Sequence, residues 1–418
     1  MPVSRRSLGA LALGLLLLAG CGSNGASTGS SPSTSPSTSP SGGASGSAGP
    51  GGSAVPSSPS SEPGSSPAVG PTAAPSPSPT VDAAAAAALA GRRIVYSYPG
   101  TTVPEALLER VRAGRVAGVI FFAENVGSDP AVLRGAVQQL RDAERQGAHP
   151  RPLLLMTDQE GGLVRRLPGG PADSAKTVGS SADPVAAAAR TGREAAAALA
   201  AYGLNLNLAP VLDVYRTPGD FADSAQRSYS TDPAAVGRLG AAFVTAQQGA
   251  GVAAAAKHFP GLGTAPAGAN TDEEPVTLPV PLDRLRAVDE RPYRDAVAAG
   301  VKLVMLSWAV YPVLDPGRPA GMSGSIVRDE LRNRLHYQGV TVTDALEAQA
   351  LAPVGDTGQR ALAVAQAGVD LLLCSARDVD QGDRAAAALA AALAAGRLDR
   401  EDFTASADRV DALRDTLR

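Results

Sequence analysis

One pattern constrains this chain more than any other: a short apolar run followed by a stretch with helical spacing, recurring between residues 94 and 374. The runs occupy 94–98, 116–123, 153–157, 204–209, 252–257, 301–307, 340–343 and 369–374, each bounded by turn residues, as expected of buried strands. Ala-rich segments at 131–146, 184–202, 233–249, 282–299 and 358–367 lie between them, with Asp, Ser or Pro near several starts and Gly after several ends. Eight strand–helix units in a block of about 330 residues predict an α/β fold, a (β/α)8 barrel with one large core. An open doubly wound sheet is the other arrangement of such units, but no G-x-G-x-x-G follows the first strand, so dinucleotide binding has no support. Beyond Arg377 the sequence reads as two Ala-rich helices closing the barrel, which places one folded domain over 85–418 without a second.

The first 84 residues have another character. Arg5 and Arg6 precede an apolar run from Leu8 to Leu18, too short for a permanent membrane span, that ends in Leu18-Ala19-Gly20-Cys21. This resembles a bacterial lipobox, with 1–20 removed as a signal peptide and the Cys21 thiol diacylated. Residues 21–84 then form a tether. From 22 to about 80 it is almost wholly Ser, Pro, Gly, Ala and Thr, with no apolar cluster to offset the entropy of ordering, so it is expected to stay disordered. About 60 such residues reach a root-mean-square distance on the order of 45 Å, enough to hold a domain off a membrane. The expected location is the outer face of the bacterial cytoplasmic membrane, reached by the general secretory or the twin-arginine route and held there by lipid. With 37 basic and 40 acidic residues there is no electrostatic footprint for nucleic acid. Once Cys21 is acylated, Cys374 has no disulfide partner, and its apolar run marks it as a buried small hydrophobe.

Barrel enzymes carry their chemistry where strands end on the C-terminal face. Here the third run ends in Asp158-Gln159-Glu160-Gly161-Gly162 and the fourth leads to Asn207 and Asp213. The fifth ends in Lys257-His258, the sixth in Ser307-Trp308 and the seventh in Asp344. Any one of these can be a helix cap. Together, Asp158, Lys257, His258 and Asp344 make a pocket suited to a neutral, hydroxyl-rich ligand, because carboxylates accept from OH groups while Lys and His donate to them.

Five segments occur in order: Met156-Thr-Asp-Gln-Glu-Gly-Gly-Leu-Val-Arg-Arg-Leu167, Asn207-Leu-Ala-Pro-Val-Leu-Asp213, Gln226-Arg-Ser-Tyr-Ser-Thr-Asp-Pro233, Lys257-His-Phe-Pro-Gly-Leu-Gly263 and Gly339-Val-Thr-Val-Thr-Asp344. They resemble glycoside hydrolase family 3, specifically its single-domain β-N-acetylhexosaminidase branch. The resemblance implies a retaining glycosidase that removes N-acetylglucosamine from peptidoglycan fragments or related glycans, works without metal or other cofactor, and acts as a monomer. It makes Asp344 the nucleophile, and a carboxylate suits that role because it can attack an oxocarbenium-like carbon and leave again as a glycosyl ester. Asp158, Arg166, Arg227, Lys257 and His258 would hold the sugar. The competing readings are a helix cap for Asp344 and structural ion pairs for the two arginines. Strand alternation sends Lys257 and His258 to opposite faces unless the strand ends or twists there.

The acid/base is where the sequence departs from the family. The branch carries an Asp-Ser-His triplet on the loop after Lys-His-Phe-Pro-Gly, but residues 264–275 hold no histidine, and the chain has only His149, His258 and His336. The match puts Asp272 at the orienting Asp and Glu274 at the His, with Glu273 beside it; Leu262 and Trp308 stand where the family has two further histidines. Either a loop carboxylic acid, Glu274 or Asp272, moves the proton with a raised pKa, or the barrel binds sugar without turning it over. An acidic surface loop is the plain alternative for 272–274, and a β-glucosidase-type specificity stays open.

Overall fold

All eight apolar runs become parallel strands of one closed barrel in the computed structural model, which describes residues 82–417. In chain order they are β1 (Ile94–Tyr96), β2 (Gly118–Ile120), β3 (Leu154–Thr157), β4 (Leu206–Asn207), β5 (Ala253–Phe259), β6 (Leu303–Leu306), β7 (Val340–Ala345) and β8 (Leu371–Leu373). Each strand pairs with the next, and β1 closes on β8 with Ile94 opposite Leu372. Strands of two to seven residues, mostly apolar, bury both faces here, one against the barrel interior and the other against the surrounding helices.

The outer helices start where the sequence caps them. Asp129, Asp183, Asp232, Asp356, Asp378 and Asp399 each accept a backbone N–H in the first turn of the helix that follows, and Pro130, Pro184 and Pro233 fill first positions that need no donor. The expected helix over 282–299 is broken into Leu282–Arg284, a wide turn over Leu285–Asp289 and Arg291–Ala298. Pro292 removes a donor inside that stretch, and the buried acids Asp289 and Glu290 turn to meet Arg216 and Arg334.

Inside the barrel, Val95, Leu154, Met156, Ala255, Met305, Val342 and Leu373 belong to a cluster separate from the strand–helix core. The last helix, Arg400–Asp415, adds Val410 and Leu413 to it, and the Arg414 guanidinium donates to the carbonyls of Pro152 and Arg151 just ahead of β3. Burying each such side chain is worth roughly 1.5–3 kcal/mol. The helix therefore stoppers the N-terminal end, and the C-terminal mouth is left to carry a site.

Candidate active site

At the mouth, β3 and β5 place a charged lattice. The Lys257 ammonium lies 2.7 Å from Asp158 Oδ1 and 2.7 Å from Glu160 Oε1. Arg227 grips Glu160 with both prongs of its guanidinium, at 2.9 and 2.8 Å. Burial alone would raise the Glu160 carboxyl, but the charges of Arg227 and Lys257 hold it far below the usual range. Burial pulls Lys257 down, and Asp158 and Glu160 outweigh it, so the ammonium stays protonated. Lys257 and His258 both reach the mouth. The register of β5 against β6 shifts between Ala256 and Phe259, which breaks the alternation, and the peptide between the two residues is cis. His258 Nδ1 is 2.7 Å from Asp213 Oδ2, and its Nε2 is 3.4 Å from an Arg227 nitrogen.

Asp344 ends β7 and is half-buried, its Oδ1 accepting the N–H of Ala345. No helix starts at Ala345; the next helical turn begins at Gln349, so a cap role does not account for this residue. Opposite it, the 264–275 loop reaches across the mouth and is tied down by two backbone bonds, Gln349 N–H to the Asp272 carbonyl and Ala350 N–H to that of Thr271. Asp272 keeps an open face to solvent, yet lost hydration and then the charge of Asp344 push its carboxyl up to about 6, with the charge of Arg227 opposing. Glu273 accepts from Asn270, and Glu274 is exposed with no side-chain hydrogen bond among the described residues. Arg227 is ion-paired with Glu160; Arg166 forms no ion pair among the described residues, and its Nε is buried without a partner. Leu262 is packed away, its N–H donating to Asp213, and Trp308 is buried with its indole N–H donating to the Ala345 carbonyl, next to Asp344.

The model of the glycosyl hydrolase family 3 N-terminal domain matches residues 96–413. The chain belongs to glycosyl hydrolase family 3. It is 47% identical over 328 residues to an uncharacterized secreted glycosyl hydrolase of Arthroderma benhamiae, covering 78% of this chain and 93% of the relative. It is 37% identical over 274 residues to a beta-hexosaminidase of Stenotrophomonas maltophilia, covering 64% of this chain and 78% of the relative. A family 3 beta-N-acetylglucosaminidase from Paenibacillus superposes with a TM-score of 0.73 at 32% identity over 79% of this chain, which spans 62% of that longer one. The protein is accordingly a glycosidase of the β-N-acetylhexosaminidase-like kind.

In this family 3 barrel several mouth residues serve as supports. Asn207 is fully buried and clamps the exit of β3 through Gln159, whose side chain in turn holds the backbone of Arg166 and Leu167. Ser307 binds Ala309 N–H and Tyr311. Sequence reasoning left Glu160 without a role, although its spacing of two from Asp158 along a strand puts both on one face. Among the described residues, no group of three or more His, Cys, Asp or Glu is placed to hold a metal ion.

Proposed function

We propose that the enzyme is a retaining β-N-acetylhexosaminidase that releases terminal β-N-acetylhexosamine from peptidoglycan fragments or related glycans, with Asp344 as nucleophile and Asp272 as acid/base. The observation that carries this reading is the pair of carboxyl groups at one mouth: Asp344 on β7, and a loop acid whose proton its charge helps retain. Asp344 attacks the anomeric carbon as the glycosidic bond breaks, and Asp272 gives its proton to the departing oxygen. Asp272 then takes a proton from water, whose oxygen displaces Asp344 from the sugar ester. Retention calls for about 5–5.5 Å between the two groups when substrate is bound. Asp158, Arg166, Arg227, Lys257 and His258 hold the sugar hydroxyls, with Glu160 locking Lys257 and Arg227 in place. Glu274, the other acid/base candidate, is less favoured because nothing links its side chain to the Asp344 carboxyl.

The lipobox-like Cys21 and the tether up to residue 81 lie outside the described residues, while its last three residues, 82–84, instead cap and open the helix Ala83–Gly91; we take the enzyme to be exported, lipid-anchored and monomeric. No helix among the described residues is long and apolar enough to cross a membrane. The test is turnover of aryl β-N-acetylglucosaminide and β-glucoside by wild type and Asp344→Asn, with the released anomer read by NMR. The expected result is a β-anomer from the N-acetyl substrate and at least a thousandfold loss in the variant. Equal background rates for both proteins would replace catalysis with sugar binding, and faster β-glucoside turnover would reassign the substrate.

A further inference from the structure

The residues described so far occupy the β3-to-β7 side of the mouth; the β8–β1–β2 side carries an assembly that no step above uses. Ile120 pairs with Met156 at the end of β2, and Phe122 follows two residues beyond it, just as Asp158 follows two residues beyond Met156 on the neighbouring strand, so both leave the barrel at its C-terminal end. Phe122 is half-buried and packs on the barrel's interior cluster. The guanidinium of Arg377, from the segment after β8, lies over its ring at 4.5 Å.

Arg377 is aimed by its backbone. Its φ of 58° lies in the left-handed region that residues other than glycine seldom adopt, and its N–H is held by Ser97 Oγ, which itself donates to the Cys374 carbonyl. Its Nε pairs with Glu124 at 3.0 Å, but the side chains are 47% and 42% exposed, so exchanging that partner costs little. The two terminal nitrogens have no hydrogen bond to protein among the described residues. Lys257 and Arg227 are already neutralised by Asp158 and Glu160, and Asp272, Asp344 and Glu347 make the rest of the mouth acidic.

We propose that Phe122 and Arg377 build the subsite for the leaving-group sugar, and that Arg377 pairs there with a carboxylate which that sugar carries. The stacked ring fixes the guanidinium plane, leaving its outer fork to take a carboxylate in two parallel bonds. Glu124 holds the arginine in readiness and gives way to the ligand. This inference rests on the glycosidase reading of the adjoining pocket.

The experiment measures calorimetric affinity of full-length Asp344→Asn, in which turnover is stopped, for N-acetylglucosaminyl-N-acetylmuramic acid and for its methyl ester. The acid is expected to bind about ten- to hundredfold more tightly than the ester. Arg377→Gln brings the ratio near one. Glu124→Gln, by freeing the arginine, raises it, whereas a purely structural Glu124–Arg377 pair predicts no such rise. The ratio is internal to each protein, so general loss of affinity cancels. Equal affinity for acid and ester, or a ratio unchanged by Arg377→Gln, overturns the subsite alone. Failure of both ligands to bind overturns the subsite together with the glycosidase reading.

Discussion

Asp213 holds His258 in one tautomer. The imidazole Nδ1 sits 2.7 Å from Asp213 Oδ2, and an Arg227 nitrogen approaches Nε2 at 3.4 Å. Arginine can only donate, so Nε2 accepts and the proton resides on Nδ1, where it is donated to the carboxylate. Asp213 Oδ1 meanwhile accepts the N–H of Leu262 at 2.8 Å, which locks the carboxylate itself.

Replacing this one oxygen pair is therefore informative. In Asp213→Asn the amide either turns its NH2 to the imidazole, which forces the ring proton onto Nε2 against Arg227, or turns it to the Leu262 N–H; each leaves two donors facing. The expected cost is about ten- to hundredfold in kcat/KM, the worth of one charge-assisted hydrogen bond. Imidazole 15N shifts should report the tautomer change, and a kcat/KM within twofold of wild type would contradict the assignment.

The acid/base assignment predicts a pH profile. Asp272 is held up to about 6 by desolvation and by Asp344, and a general acid must be protonated to act. kcat/KM should fall as pH rises through about 6. Asp272→Asn should abolish that limb and lower the rate about 10²–10⁴-fold. In Asp344→Asn the raising charge is gone, so the Asp272 carboxyl should titrate lower by 13C NMR. A limb that survives Asp272→Asn and shifts in Glu274→Gln would transfer the role to Glu274.

The barrel was legible because its signal is local: eight apolar runs, each ended by turn residues, need only the period of a buried strand to be found. That the polar residues after β3, β5 and β7 gather at one mouth could be expected for the same reason. What escaped depends on side chains meeting across the mouth. Nothing near Asp213 in sequence says that it faces His258, and Phe122 and Arg377 lie 255 positions apart in the numbering. The break in the 282–299 helix had a visible cause in Pro292, but the burial of Asp289 and Glu290 that accompanies it is decided by Arg216 and Arg334 from other elements.

Asp289 gives a stability prediction. Fully buried beneath Gly261, with Oδ1 unpartnered, it is pushed up to about 7 by desolvation; the nearby Asp213 adds to this and Arg216 opposes it. A carboxyl with a folded pKa above its unfolded value of about 4 binds its proton more tightly in the folded state. The stabilisation is full below about 4 and is lost as pH climbs through about 7. The melting temperature of wild type should thus decline across that window more steeply than that of Asp289→Asn. The variant forfeits the pairing with Arg216, so its absolute melting temperature is lower and the slope is the readout. Parallel slopes would show that Asp289 does not titrate there.

The charge of the mouth also selects the second nucleophile. In the proposed mechanism the sugar is an ester on Asp344 after the first half-reaction, and the incoming group would pass Asp272 as an anion that has given up its proton. Asp158 and Glu160 are already paired with Lys257 and Arg227, so those cations have little attraction to spare for a further anion. Water approaches freely, whereas phosphate meets like charge in a partly desolvated space. The enzyme should release free sugar with no sugar 1-phosphate when inorganic phosphate is added, and phosphate should not raise the turnover rate. Asp272→Asn removes the repelling charge, so any phosphorolysis relative to hydrolysis should rise in that variant. Sugar 1-phosphate formed by wild type, detected by 31P NMR, would rule out an anionic acid/base at residue 272.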